Sequence, residues 1–179
     1  MPRKKPEKKY KFLSGILMVI VALLSLFIIL PKFFPEELPL LAFPGLSTLG
    51  FERVNNVDVR IIGNEGLVIL SASCYELTGI IEPTQAISIQ NALQNITTER
   101  PNAHDLARDV FNTLDIKMLM VKITELRDSA YFAKILLRQK NTFLNFDVRP
   151  SDGIAIALRV GAPIYIDKGL LERQGKYIC

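Results

Sequence analysis

Two hydrophobic patterns divide the chain. Phe12–Leu30 is a run of 19 positions without a charged side chain; as a helix rising 1.5 Å per residue it would cover about 28 Å, close to a bilayer's hydrocarbon thickness. From about Val54 the pattern breaks into short periods of two and of three to four. Val57, Val59 and Ile61 alternate with polar residues, Gly63-Asn64-Glu65-Gly66 supplies a turn, and an apolar run resumes at Leu67–Leu70, which reads as strand, turn, strand. Pro83 can open a helix on which Ala86, Ile89, Leu93 and Ile96 recur at helical spacing. Asn102 offers a cap for a second helix, with Asp105 three residues on and Ala103, Leu106, Val110 and Leu114 as one face. Three β-rich runs follow, Ile116–Leu126, Ala130–Arg138 and Phe143–Val148, with connections short enough for an antiparallel meander. Pro150-Ser151-Asp152 opens a third helix that Gly161-Ala162-Pro163 stops, Ile164–Ile166 can make a short strand, and Asp167 can cap a last helical turn. Gly153, Ala157 and Gly161 put small residues on one helix stripe, which suits close approach to the sheet or to another chain. The expected fold class is α+β, with an antiparallel or mixed sheet and about three helices.

Charge sharpens the division. The formal net charge is +4, but residues 1–11 hold six basic side chains and one acid, leaving 16 basic and 17 acidic residues in the rest. A basic flank before an apolar span is what the positive-inside bias acts on. The expected organisation is a basic cytoplasmic tail (1–11), a transmembrane helix (12–30), a Pro-rich linker (31–53) and a folded domain (54–179) outside the cytoplasm. A cleavable signal peptide and a buried core helix compete for 12–30. The run is longer than a signal peptide's apolar region and leads into Leu30-Pro31-Lys32-Phe33-Phe34-Pro35, without a small-x-small cleavage site.

Candidate chemistry is sparse. Two cysteines and one histidine exclude a disulfide scaffold and a His-rich metal cluster, leaving Cys74 and Cys179 as free thiols or as one bridge in an oxidising compartment. The P-loop, G-x-G-x-x-G, G-x-S-x-G and H-E-x-x-H signatures are absent. Tyr75, Tyr131, Tyr165 and Phe132 could stack on bases but fall in β-rich runs, where sheet packing explains them.

Asp147-Val148-Arg149-Pro150-Ser151-Asp152-Gly153-Ile154-Ala155-Ile156-Ala157-Leu158-Arg159, followed by Ala162-Pro163-Ile164-Tyr165-Ile166, resembles the D-x-R-P-S-D-A-I-A-L-A…R…A-P-I-Y-V signature of the bifunctional nuclease domain family. Arg100-Pro101-Asn102-Ala103-His104-Asp105-Leu106 is similar to that family's R-P-x-x-H-D-L. The resemblance covers roughly residues 57–173 and implies an α+β domain, often dimeric, with nuclease activity on DNA and RNA in some members. Two departures stand out: where the family shows I-G-x-x-E-A, this chain has Ile81-Glu82-Pro83-Thr84-Gln85-Ala86, and Gly153 replaces the usual alanine.

A metal-assisted nuclease needs carboxylates for magnesium or manganese, a proton acceptor and a cation for the phosphorane charge. The residues that can supply these are Asp147 and Asp152 as metal ligands, with Asp105 as a possible third, His104 as general base or acid, and Arg149 with Arg100 on phosphate. Each also has a structural explanation: Asp105 and Asp152 as first-turn acids, His104 as a helix-start donor to a carbonyl, and Arg149 as an ion-pair partner of Asp147 or Asp105. Two functions therefore stand open, a membrane-anchored, metal-dependent nuclease and a non-catalytic tethered module, in either case as a homodimer or other oligomer. Both picture the Arg-Pro-Ser-Asp corner meeting the helix start that contains His104.

Overall fold

A computed structural model describes residues 18–21, 25, 43 and 45–179. Gly45–Cys179 forms one compact unit. The expected span 12–30 lies almost wholly outside the described residues; of it, Met18–Val21 and Ser25 are helical. Among the described residues no helix is long and apolar enough to cross a membrane.

The unit is α+β, with two sheets and four helices. The first sheet orders its strands β1 (Phe51–Arg53), β8 (Ile164–Asp167), β5 (Ile116–Arg127), β6 (Ala130–Gln139) and β7 (Thr142–Val148), antiparallel except for the β5–β8 pair. The second runs β2 (Asn56–Ile62), β3 (Glu65–Ala72), β4 (Tyr75–Ile81) and β9 (Lys176–Tyr177), all antiparallel. The helices are α1 (Pro83–Leu93), α2 (Ala103–Thr113), α3 (Pro150–Val160) and α4 (Lys168–Gln174). The meander and three of the helices match the pattern of the sequence. The turn expected after Asp167 is a two-turn helix, α4, which Asp167 caps by accepting from the Leu170 N–H.

β5 is the central strand and is buried on both faces. Val121 and Ile123 pack into the core with Ile135, Ile154 and Ile166. Of the small-residue stripe, Gly153 and Ala157 are buried and Gly161 is exposed; a Cβ on Gly153 would come within 2.7 Å of Val121 Cγ2 on β5. On the other face of β5, buried Lys122 donates to the carbonyl oxygens of Gly45 (2.7 Å) and Ser47, with its ammonium 4.7 Å from the centre of the Phe51 ring. Burial holds its pKa below the ordinary lysine value.

Two features depart from the pattern. The apolar face of α2 points outward, leaving Leu106, Val110 and Leu114 exposed, while Asp105 is the residue of α2 that is buried. Cys74 and Cys179 are bonded as a disulfide that closes a separation of 105 residues, beside the β4–β9 pair and the edge-to-face rings of Tyr75 and Tyr177.

Candidate functional site

Three helix starts converge on one cleft. α1 and α3 each begin with proline at the first helical position, after Glu82 and Arg149 in extended conformation, and neither has a side-chain cap. α2 starts with a capping box in which Asn102 accepts from the His104 and Asp105 N–H groups, while Asp105 Oδ2 accepts from the Asn102 N–H. The first turns of these helices line a cleft of about 450 Å³, walled by Glu82, Gln85, Ser88, His104, Arg149 and Asp152 among others. Helix N-termini carry partial positive charge and unpaired N–H groups, so such a cleft favours an anion although residues 12–179 are close to neutral.

A continuous hydrogen-bonded chain runs through the cleft. Asn102 Nδ2 and Arg159 Nη2 both donate to Ser88 Oγ at 3.1 Å. With its lone pairs so occupied, the Ser88 hydroxyl donates to His104 Nδ1 at 2.8 Å. The network therefore assigns the ring hydrogen to Nε2, which donates to Asp152 Oδ1 at 3.1 Å. Arg149 grips the same carboxylate with Nε on Oδ2 at 2.7 Å and Nη2 on Oδ1 at 3.2 Å. Gln85, oriented to satisfy both ends of its amide, donates to Ser151 Oγ at 2.9 Å and accepts from Nη2 and Nη1 of Arg149 at 2.9 and 3.0 Å. One N–H of Nη1 is left over. Among the described residues no buried side-chain N or O lacks a partner.

Burial pushes the Asp152 carboxyl pKa up, but the hydrogen bonds from Arg149 and His104 and the charge of Arg149 outweigh it, and the net shift is downward. The hydrogen bonds that Arg149 gives to Asp152 in turn raise the Arg149 pKa. Asp152 therefore remains ionised below the ordinary carboxylate range, and Arg149 presents a permanent charge, with its side chain 67% exposed.

The structure brings together three of the six candidate residues: His104, Arg149 and Asp152. Asp105 is turned away, because consecutive helix positions diverge by about 100° and His104 takes the cleft side. Its carboxylate pairs with Arg159 Nε at 2.7 Å, both side chains being 3% exposed. Burial raises the pKa of Asp105, and Arg159 with the Asn102 N–H more than reverses this. Asp147 is 84% exposed and pairs with Lys134, its register partner on β6. Arg100 is exposed and, like Asp147, is not among the residues that line the cleft. Arg149 pairs with Asp152, not with Asp147 or Asp105, and His104 bonds Ser88 rather than a carbonyl.

The sequence reading missed Ser88, Gln85, Asn102 as a side-chain donor, and Arg159. Arg159 closes the longer of the two motifs, a signal that could have found it. Ser88 lies off the apolar face of Ala86, Ile89, Leu93 and Ile96, with nothing to mark it.

A family profile described as the bifunctional nuclease domain matches residues 68–178. The chain belongs to the bifunctional nuclease domain family. It is similar to Uncharacterized protein Rv1829 of Mycobacterium tuberculosis (strain ATCC 25618 / H37Rv), 34% identical over 132 residues that cover 73% of this chain and 79% of that one. It also resembles Bifunctional nuclease 2 of Arabidopsis thaliana, 29% identical over 106 residues, covering 55% of this chain and 32% of that protein. Bifunctional nuclease 1 of Oryza sativa subsp. japonica is 27% identical over 99 residues, 54% of this chain and 30% of that one. The aligned stretch thus spans about a third of each plant protein, and the profile match over residues 68–178 includes every residue that lines the cleft.

Proposed function

We propose that this chain hydrolyses phosphodiester bonds of DNA or RNA at the cleft, held at a membrane by residues 12–30. The observation that carries the reading is the convergence of three helix N-termini on the Arg149–Asp152–His104 chain in a bifunctional nuclease domain. Arg149 contacts phosphate through its free N–H, supported by the uncapped first turns of α1 and α3. A carboxylate held below the ordinary range is a poor proton acceptor and a good ligand, so Asp152 orients the attacking water, whose proton passes to bulk water as the new P–O bond forms, while the leaving oxygen takes a proton from bulk water as its bond to phosphorus breaks. His104 positions Asp152 through Nε2–H, and Ser88 fixes the tautomer.

Among the described residues no three His, Cys, Asp or Glu side chains group as a metal cage. One ionised carboxylate in a phosphate-binding cleft fits magnesium or manganese held chiefly by water and substrate oxygens, and such an ion would lower the pKa of the water it binds. Asp152 is the residue that would hold it, without Asp147.

The test is cleavage of single- and double-stranded DNA and RNA by the full-length chain, with magnesium, with manganese and with a chelator. Asp152→Asn and Arg149→Ala each lower turnover about a hundredfold or more, and Gln85→Glu, which adds a second carboxylate, tightens the dependence on divalent ion. Unchanged turnover in the first two variants refutes this site. No cleavage of any substrate leaves the non-catalytic module, a reading favoured by the internal pairing of Arg149 with Asp152.

Two further parts of the proposal rest on their own observations. The disulfide supports a domain on the oxidising, extracytoplasmic side, with the N-terminus in the cytoplasm. The outward apolar stripe of α2 supports a homodimer.

A further inference from the structure

A second cavity, of about 640 Å³, adjoins the cleft and shares Glu82, Gln85 and Arg149 with it. Its floor is apolar: Leu70 and Leu77 from the second sheet, Ile123 from the first and Ile154 from α3, all deeply buried. The space has a local cause. Gly79 stands in register with Val68 on β3, and with no side chain of its own it leaves a gap. A Cβ there would lie 3.5 Å from Val68 Cγ1 and 3.9 Å from two carbons of the Tyr131 ring, both residues of the cavity wall. A longer side chain at position 79 would occupy the space without a backbone clash.

The chemistry of the mouth selects the occupant. Two charged residues stand at the mouth, Arg149 and Glu82, and Arg149 also lines the cleft, so an occupant's one anionic group belongs at Arg149 and the rest of it is uncharged. The rest of the wall carries neutral polar residues, Ser129 and the hydrogen-bonded pair Gln85 and Ser151, around an apolar interior with one aromatic ring. A flat, uncharged heterocycle with donors and acceptors on its edge matches that set. Because the wall is shared, a ligand with its ring in this cavity has its neighbouring phosphate at Arg149.

We propose that the cavity receives one unstacked nucleobase of a single-stranded substrate while the adjacent phosphate lies on Arg149. This rests on the nuclease reading above and adds to it that the substrate is an unpaired strand held by a base. A duplex must first unpair and extrude the base, so single strands are cleaved faster than duplexes.

The test measures binding apart from chemistry. The full-length chain carrying His104→Ala is titrated calorimetrically with a thymidine dinucleotide and with the same dinucleotide lacking one base. Gly79→Leu, checked for folding by thermal melting, is compared with it in the same background. The expected results are about tenfold or greater loss of affinity without the base, a similar loss in Gly79→Leu, and no added loss when the two are combined. Wild-type chain is expected to cleave single strands at least about tenfold faster than duplexes. Equal affinity for both dinucleotides, with cleavage intact in the wild type, overturns the base pocket and leaves the nuclease reading standing. Absence of both binding and cleavage overturns both.

Discussion

Replacing Arg159 by leucine tests the support beneath the cleft. Arg159 donates to Asp105 Oδ1, to Ser88 Oγ and to the backbone oxygens of Ser88 and Ala155 at 2.7–3.1 Å. Without it the Asp105 carboxylate, on a side chain 3% exposed, has no hydrogen-bonded cation. Removing one partner of a buried pair costs about 3–5 kcal/mol at neutral pH, or roughly 10–20 °C in melting temperature for a domain of this size. The pH dependence has a definite sign. In the wild type the Asp105 pKa is lowered, so its contribution is present above the ordinary carboxylate value and lost as pH falls through the folded value. In the variant, burial is no longer outweighed by the guanidinium and the folded pKa rises above the unfolded one. The variant then binds a proton on folding, and its deficit shrinks between pH 7 and about 4. Urea unfolding of residues 45–179 at several pH values, followed by circular dichroism, measures this. Adding Asp105→Asn to Arg159→Leu recovers part of the loss, since no charge is then buried alone. A deficit below about 1 kcal/mol, or one unchanged with pH, refutes the argument.

Two other consequences follow from the fold. Replacing Cys74 and Cys179 by serine frees a loop of 105 residues; chain entropy puts the loss near 4–5 kcal/mol and common experience at 2–4, so a urea midpoint that does not move would refute a structural role for the bond. Leu106→Glu places a charge in the exposed stripe of α2, and sedimentation is expected to shift from dimer to monomer; a wild-type chain that sediments as a monomer at micromolar concentration would sink the proposed interface.

What could be seen in the sequence was local. Pro83, the Asn102–Asp105 box and Pro150 announce their helices because the cap and the first turn lie within four residues of each other. β4 escaped notice because Gly79 interrupts its apolar alternation, and β1 and β9 are two or three residues long and pair only with partners 100 or more residues away. His104, Arg149 and Asp152 were legible as motif members; their union was not, for it depends on how α1, α2 and α3 pack. Asp147 and Asp105 are adjacent to site residues in sequence, yet strand register and helical rotation send them elsewhere. Burial of Lys122 needs carbonyls contributed from residues 45 and 47, which no periodicity within β5 reveals. The departure at position 85 gains a meaning: Gln85 sits on Arg149 and Ser151, where a glutamate would place a second negative charge beside Asp152.

The clasp of Lys122 on the Gly45 and Ser47 carbonyls also sets a leash. It fixes where the folded unit begins, and only 14 residues separate Gly45 from Leu30. Fully stretched, that stretch reaches roughly 50 Å. Under the proposed anchoring of 12–30 in a bilayer, that length sets an upper bound on how far from the lipid a substrate of the domain could lie.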